Sequence, residues 1–93
     1  MRTTVKKLPQ NCIHIRFHTN ESVDYIEHTI IKPLSKDTCE LVGFSAKNLT
    51  QEYIRLAFKA CADAGYKQCY IERRKNDRVI RKLFNLKRYI NGY

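Results

Sequence analysis

Six cations crowd the ten positions from 73 to 82: Arg73, Arg74, Lys75, Arg78, Arg81 and Lys82, with Asp77 the one acid among them. Lys87 and Arg88 follow, with Tyr89 beside them. Guanidinium and ammonium groups at this density neutralise phosphates and release their counterions, and neighbouring aromatics stack on bases. The chemistry on offer is the binding of a polyanion. Arg73, Arg74, Lys75, Arg78, Arg81, Lys82, Lys87, Arg88 and Tyr89 are therefore the candidate binding residues. Their partner is nucleic acid or a nucleoprotein, or an acidic protein surface that the same charge would steer onto. The charge is local: residues 67–93 carry nine basic groups against Glu72 and Asp77, +7 of the chain's +9, and residues 1–66 carry the other +2. A field concentrated in one place holds an anion, whereas uniform charge mainly keeps a protein soluble. No RNP-like, GXXG or helix-turn-helix signature accompanies the cations, so readout of a particular base sequence is not expected.

Other chemistries find less support. Cys12, Cys39, Cys61 and Cys69 have no C-x-x-C spacing, so neither a zinc ribbon nor a redox motif is indicated, and they read as small apolar core residues. Cys12, His14 and His18 share one face of an alternating segment, but neighbours two apart lie about 7 Å from each other along a strand and a fourth ligand is missing. No metal site is expected. Glu40, Glu52 and Glu72 fall on different elements, no nucleophile has a base beside it, and Gly43, Gly65 and Gly92 form no phosphate-cradling loop. The expectation is a non-catalytic protein without a cofactor.

The elements that must position the cations follow from periodicity. Ile13, Ile15 and Phe17 alternate with His14, Arg16 and His18, a half-buried strand. After a turn at Asn20-Glu21-Ser22, residues 23–32 are ambiguous: Val23, Ile26, Ile30 and Leu34 fit a helix face with Ser22 as N-cap, whereas the β-branched content favours a strand ending at Pro33. Leu34 to Asp37 make a loop, and Cys39 to Ser45 a buried strand. A helix follows, capped by Asn48 with Gln51 completing a capping box. Leu49, Tyr53, Leu56, Ala57, Ala60, Cys61 and Ala64 form its apolar stripe, and Gly65 stops it. Tyr66 to Glu72 read as a strand. Asn76 or Asp77 then caps a second helix, with Val79, Ile80, Leu83 and Phe84 inward and Arg78, Arg81, Lys82 and Asn85 outward, ending near Asn85. The tail from Leu86 to Tyr93 reads as extended.

From Asn76 the chain runs Asn76-x-x-Val79-Ile80-x-x-Leu83-Phe84-x-x-x-Arg88-Tyr89, which resembles the last helix of GNAT-type acetyltransferases. The helix ending at Gly65-Tyr66 and the strand from Gln68 to Glu72 are similar to that family's order, so the resemblance covers residues 39–90. It implies a GNAT-like scaffold. The departures argue against the activity. The pyrophosphate loop would fall at Ser45-Ala46-Lys47-Asn48, which has no glycine. The position of the general-acid tyrosine holds Phe84, and Arg88 stands where glycine is usual. Such short, basic chains also resemble small phage-encoded proteins, which would make an acidic partner a virion component or a host machine such as a defence or transcription complex.

The fold expected is α+β, one domain spanning residues 1–93, with a mixed sheet of about four to five strands and two helices packed on it. A strand–helix–strand crossover should place two strands parallel. No apolar run approaches the roughly 18 residues that span a bilayer, and no apolar run follows Lys6-Lys7 at the amino end. A cytoplasmic protein is expected, in a host cell or virion.

Overall fold

The computed structural model describes residues 2–19, 25–43 and 51–90, with residues 25, 26 and 73–75 described by their backbone alone. Six strands form one sheet in chain order: β1 (Arg2–Lys7), β2 (Ile13–His18), β3 (Tyr25–Pro33), β4 (Thr38–Val42), β5 (Gln68–Lys75) and β6 (Arg78–Asn85). All neighbours are antiparallel except β4 and β5. The helix α1 (Gln51–Asp63) makes the crossover between that parallel pair. A parallel connection needs a return path of this length, whereas the antiparallel neighbours close through short loops.

The two ambiguous or unassigned segments resolve as strands. Residues 25–33 take the extended form their β-branched residues favour, and the strand stops at Pro33. The amino-terminal segment, for which periodicity gave no reading, becomes the edge strand β1, with Val5 facing Ile15 and Thr4 facing Arg16. Its basic residues Arg2, Lys6 and Lys7 suit an edge, where charge discourages pairing with another chain. The turn at Asn20-Glu21-Ser22, the cap at Asn48 and the stripe position Leu49 lie outside the described residues.

The expectation of two helices on four to five strands is corrected. The sheet has six strands, and α1 is the one α-helix among the described residues. The second helix, read over residues 76–85, is the strand β6. Asn76 and Asp77 both have positive φ, 52° and 62°, and form a two-residue turn that joins β5 to β6. Backbone of that hand matches the twist of a hairpin, and Asn and Asp tolerate it better than most residues. Each residue from Arg78 to Asn85 then faces a partner on β5, from Lys75 back to Gln68. The spacing of Val79, Ile80, Leu83 and Phe84 is that of a helix stripe. Yet Val79, Ile80 and Leu83 are 55%, 50% and 44% exposed, and of the four only Phe84 joins the core. The tail is not extended throughout either: Lys87–Tyr89 form a 3-10 turn.

The core lies between α1 and one face of the sheet. Ile15, Phe17, Ile31, Cys39, Leu41, Cys69 and Ile71 project from β2 to β5 against Tyr53, Ala57, Phe58 and Cys61 of the helix. Phe17 meets Tyr53 edge to face at 5.0 Å between centroids, and Phe58 meets Phe84 at 5.1 Å and Tyr89 at 5.7 Å. Each such side chain contributes roughly 1.5–3 kcal/mol by leaving water. Leu86, fully buried, closes the end of the sheet by donating its N–H to the Lys67 carbonyl at 2.9 Å. Gly65 ends the helix region with φ at +101°, where a side chain would be strained.

Candidate nucleic-acid interface

The crossover fixes where the cations go. The β4–β5 ladder covers the pairs from Thr38–Gln68 to Leu41–Ile71, whereas the β5–β6 ladder has eight pairs. Among the described residues, the last four, Glu72–Arg81, Arg73–Ile80, Arg74–Val79 and Lys75–Arg78, have no third strand paired beside them. At about 3.3 Å per residue, this two-stranded ribbon runs about 13 Å past the last β4 pair. Six of its residues, or of those bordering it, are basic: Arg73, Arg74, Lys75, Arg78, Arg81 and Lys82. Arg78 and Lys82 are exposed. Val79 and Ile80, successive residues of a strand, expose apolar side chains on opposite faces of the ribbon.

Arg81 is already engaged. Its Nε donates to Glu40 Oε2 at 2.8 Å, and its guanidinium lies 4.1 Å from the centroid of Tyr70. Glu40, Tyr70 and Arg81 thus cross three neighbouring strands on the sheet face opposite α1. The carboxylate neutralises one of the six cations, and Tyr70 is covered by the guanidinium. Lys82 lies over Phe84, with Nζ at 5.4 Å from the ring centroid.

The nine predicted residues do not form one patch. Lys87, Arg88 and Tyr89 sit at the far end of β6, about 25 Å from the hairpin turn by the rise of an eight-residue strand. There Lys87 and Arg88, with Phe58, Phe84, Asn85 and Tyr89, line a shallow groove of about 500 Å³. Tyr89 is half-buried against Phe58, so its ring is a packing element and no stacking platform. The ribbon gathers Arg73, Arg74, Lys75, Arg78, Arg81 and Lys82, and leaves the other three behind.

The sheet face opposite α1 adds residues that segment-wise charge counting missed. Lys6 and Arg16 come together there with His14 and His28, because β1, β2 and β3 place Lys6 beside His14 and Arg16 beside both Thr4 and His28. His14 Nε2 and His28 Nδ1 are 3.1 Å apart, one donating to the other, and Arg16 Nε donates to His14 Nδ1 at 3.4 Å. Burial, with Arg16, His28 and Lys6 close by, holds His14 below the ordinary imidazole range. His18 is buried and bonded to Thr4 Oγ1 at 2.9 Å. The histidines are held by one another and by polar neighbours across strands.

A second cluster was invisible in the sequence. Cys39 on β4, Cys61 on α1 and Cys69 on β5 converge, all three fully buried, with sulfurs within 4.8 Å of one another. Cys39 and Cys69 face each other in the parallel ladder. Hydrogen bonding to Cys61 and Cys69 lowers the Cys39 thiol's pKa, and the same bonding raises that of Cys61. Their separation along the chain hid this: only the β4–α1–β5 crossover brings them together. Cys12 is half-buried and not one of the three.

No described helix is long and apolar enough to cross a membrane. No family model matches the chain, and neither a curated protein nor a solved structure matches it.

Proposed function

We propose that this protein binds nucleic acid without catalysing a reaction, using the β5–β6 ribbon as a basic arm. The observation that carries the reading is the concentration of Arg73, Arg74, Lys75 and Arg78 in the β5–β6 pairs that lie past the last β4 pair. The major groove of duplex DNA is about 12 Å wide and about 8.5 Å deep and admits a two-stranded ribbon. The cations on the two strands then meet the phosphates of either wall, and Val79 and Ile80 meet sugars or base edges. Phosphate contacts of this kind position a protein with little selection among sequences, in keeping with the lack of a base-reading signature.

Electrophoretic mobility of labelled duplex DNA, single-stranded DNA and RNA at about 50 mM salt tests the reading. Retardation of at least one is expected. Unshifted probes, together with capture of an acidic protein from nuclease-treated lysate, would transfer the arm to a protein partner.

A further inference from the structure

We propose that Cys39, Cys61 and Cys69 form a binding site for a thiophilic metal ion with a filled d shell, Zn2+ or Cu+. Three elements of the fold each deliver one sulfur to the same point. The sulfurs lie within 4.8 Å of one another, and no surface of the three residues reaches solvent. In a shell with metal–sulfur bonds of about 2.3 Å, adjacent sulfurs lie about 3.8–4.0 Å apart. The trio therefore closes on an ion by less than about 1 Å of movement, the scale of a small side-chain rotation.

The donor set sets the chemistry. Among the described residues the cluster contains sulfur alone, without carboxylate or imidazole. Such a set selects soft cations over calcium, magnesium or manganese. Each sulfur that ligates as thiolate gives its proton to water, so three thiols around Zn2+ release three protons and leave one net negative charge. A monovalent Cu+ suits three-coordinate thiolate, whereas Zn2+ completes a tetrahedron with a fourth ligand. The ion would tie β4 and β5 to α1 where the crossover returns to the sheet. This stabilises the frame from which the ribbon projects, and it does not depend on what the ribbon binds.

The test uses the reduced full-length chain, titrated separately with Zn2+ and, without oxygen, with Cu+ in competition with a chelator. One ion per chain is expected. X-ray absorption should show a sulfur shell at about 2.3 Å, and the melting temperature should rise by about 10 °C or more at a hundredfold excess over Kd. Cys61→Ala should remove binding while retaining the far-ultraviolet dichroism of the fold, and Cys12→Ala should retain binding. Retention of Zn2+ alone or Cu+ alone supports the site and distinguishes a four- from a three-coordinate ion. Failure to hold either ion against the chelator, a shell of nitrogen or oxygen in the wild-type chain, or a loss that follows Cys12 in place of Cys61 would overturn the proposal. The three sulfurs would then be core atoms only.

Discussion

Glu40→Gln should make the arm bind more tightly. In the native chain Glu40 holds Arg81 at 2.8 Å, so one of the ribbon's six cations is already neutralised and the proposed arm makes about five phosphate contacts with the others. Each phosphate contact on duplex DNA contributes about −0.9 to the slope of log K against log salt. Five contacts give a slope of about −4.5; releasing Arg81 makes it about −5.4. At 0.15 M salt one added contact raises affinity about fivefold. The cost to the fold is small, because the Arg81 side chain is 46% exposed and Gln keeps an oxygen able to accept from it. An ion pair with so exposed a partner is worth up to about 1 kcal/mol, so the melting temperature should fall by no more than about 8 °C. Fluorescence anisotropy of a labelled duplex across a salt series measures slope and affinity together. An unchanged slope, or weaker binding by a folded variant, would refute the assignment of Arg81 as a neutralised member of the arm.

Other expectations follow from the same geometry. Arg78→Ala should lower duplex affinity about fivefold at 0.15 M salt and make the slope shallower by about 0.9, while Arg81→Ala should leave both nearly unchanged; the same anisotropy assay reads both. Asp77→Gly should hold or raise stability in urea unfolding, by up to about 1 kcal/mol, since Gly accepts the positive φ of this hairpin turn without strain. Phe17→Ala should cost about 3–5 kcal/mol in urea unfolding, as it empties a fully buried site against Tyr53. His14 binds protons less readily folded than unfolded, so below about pH 6.5 the unfolded chain takes up more protons and stability declines as pH falls toward the lowered folded value. His14→Gln should flatten that part of the profile, measured by urea midpoints from pH 7 to 5.

The physical reasons for what was legible are specific. The alternation in residues 13–18 has one interpretation, and Gly65 after a long apolar stripe marks a helix end; both elements are present. The crossover followed from their order, and β4 and β5 are parallel. The stripe omitted Phe58, which became buried because β6 and the terminal turn bring Phe84 and Tyr89 over it. The error over residues 76–85 came from reading spacing before turn chemistry: Val79, Ile80, Leu83 and Phe84 satisfy helical spacing, while Asn76-Asp77 is a hairpin signal that outranks it when a strand of equal length precedes. That one misreading puts Arg78, Arg81 and Lys82 on a helix face, where the structure has the strand β6. It also hid the separation of Lys87, Arg88 and Tyr89 from the rest. The charge of Lys6 and Arg16 escaped because these residues are apart in sequence and share one sheet face only through strand pairing. The cysteine trio escaped for the same reason.

The salt dependence of binding tests the central claim most directly. Wild-type chain and a variant with Arg73, Arg74, Lys75 and Arg78 replaced by Ala are titrated against one labelled duplex between 50 and 200 mM salt. The wild type is predicted to lose about 500-fold in affinity over that range, with a slope near −4.5. The folded variant should bind far more weakly, with its slope reduced to about −1. No duplex binding at 50 mM salt, or equal slopes for the two chains, would contradict the assignment of the ribbon as a nucleic-acid arm.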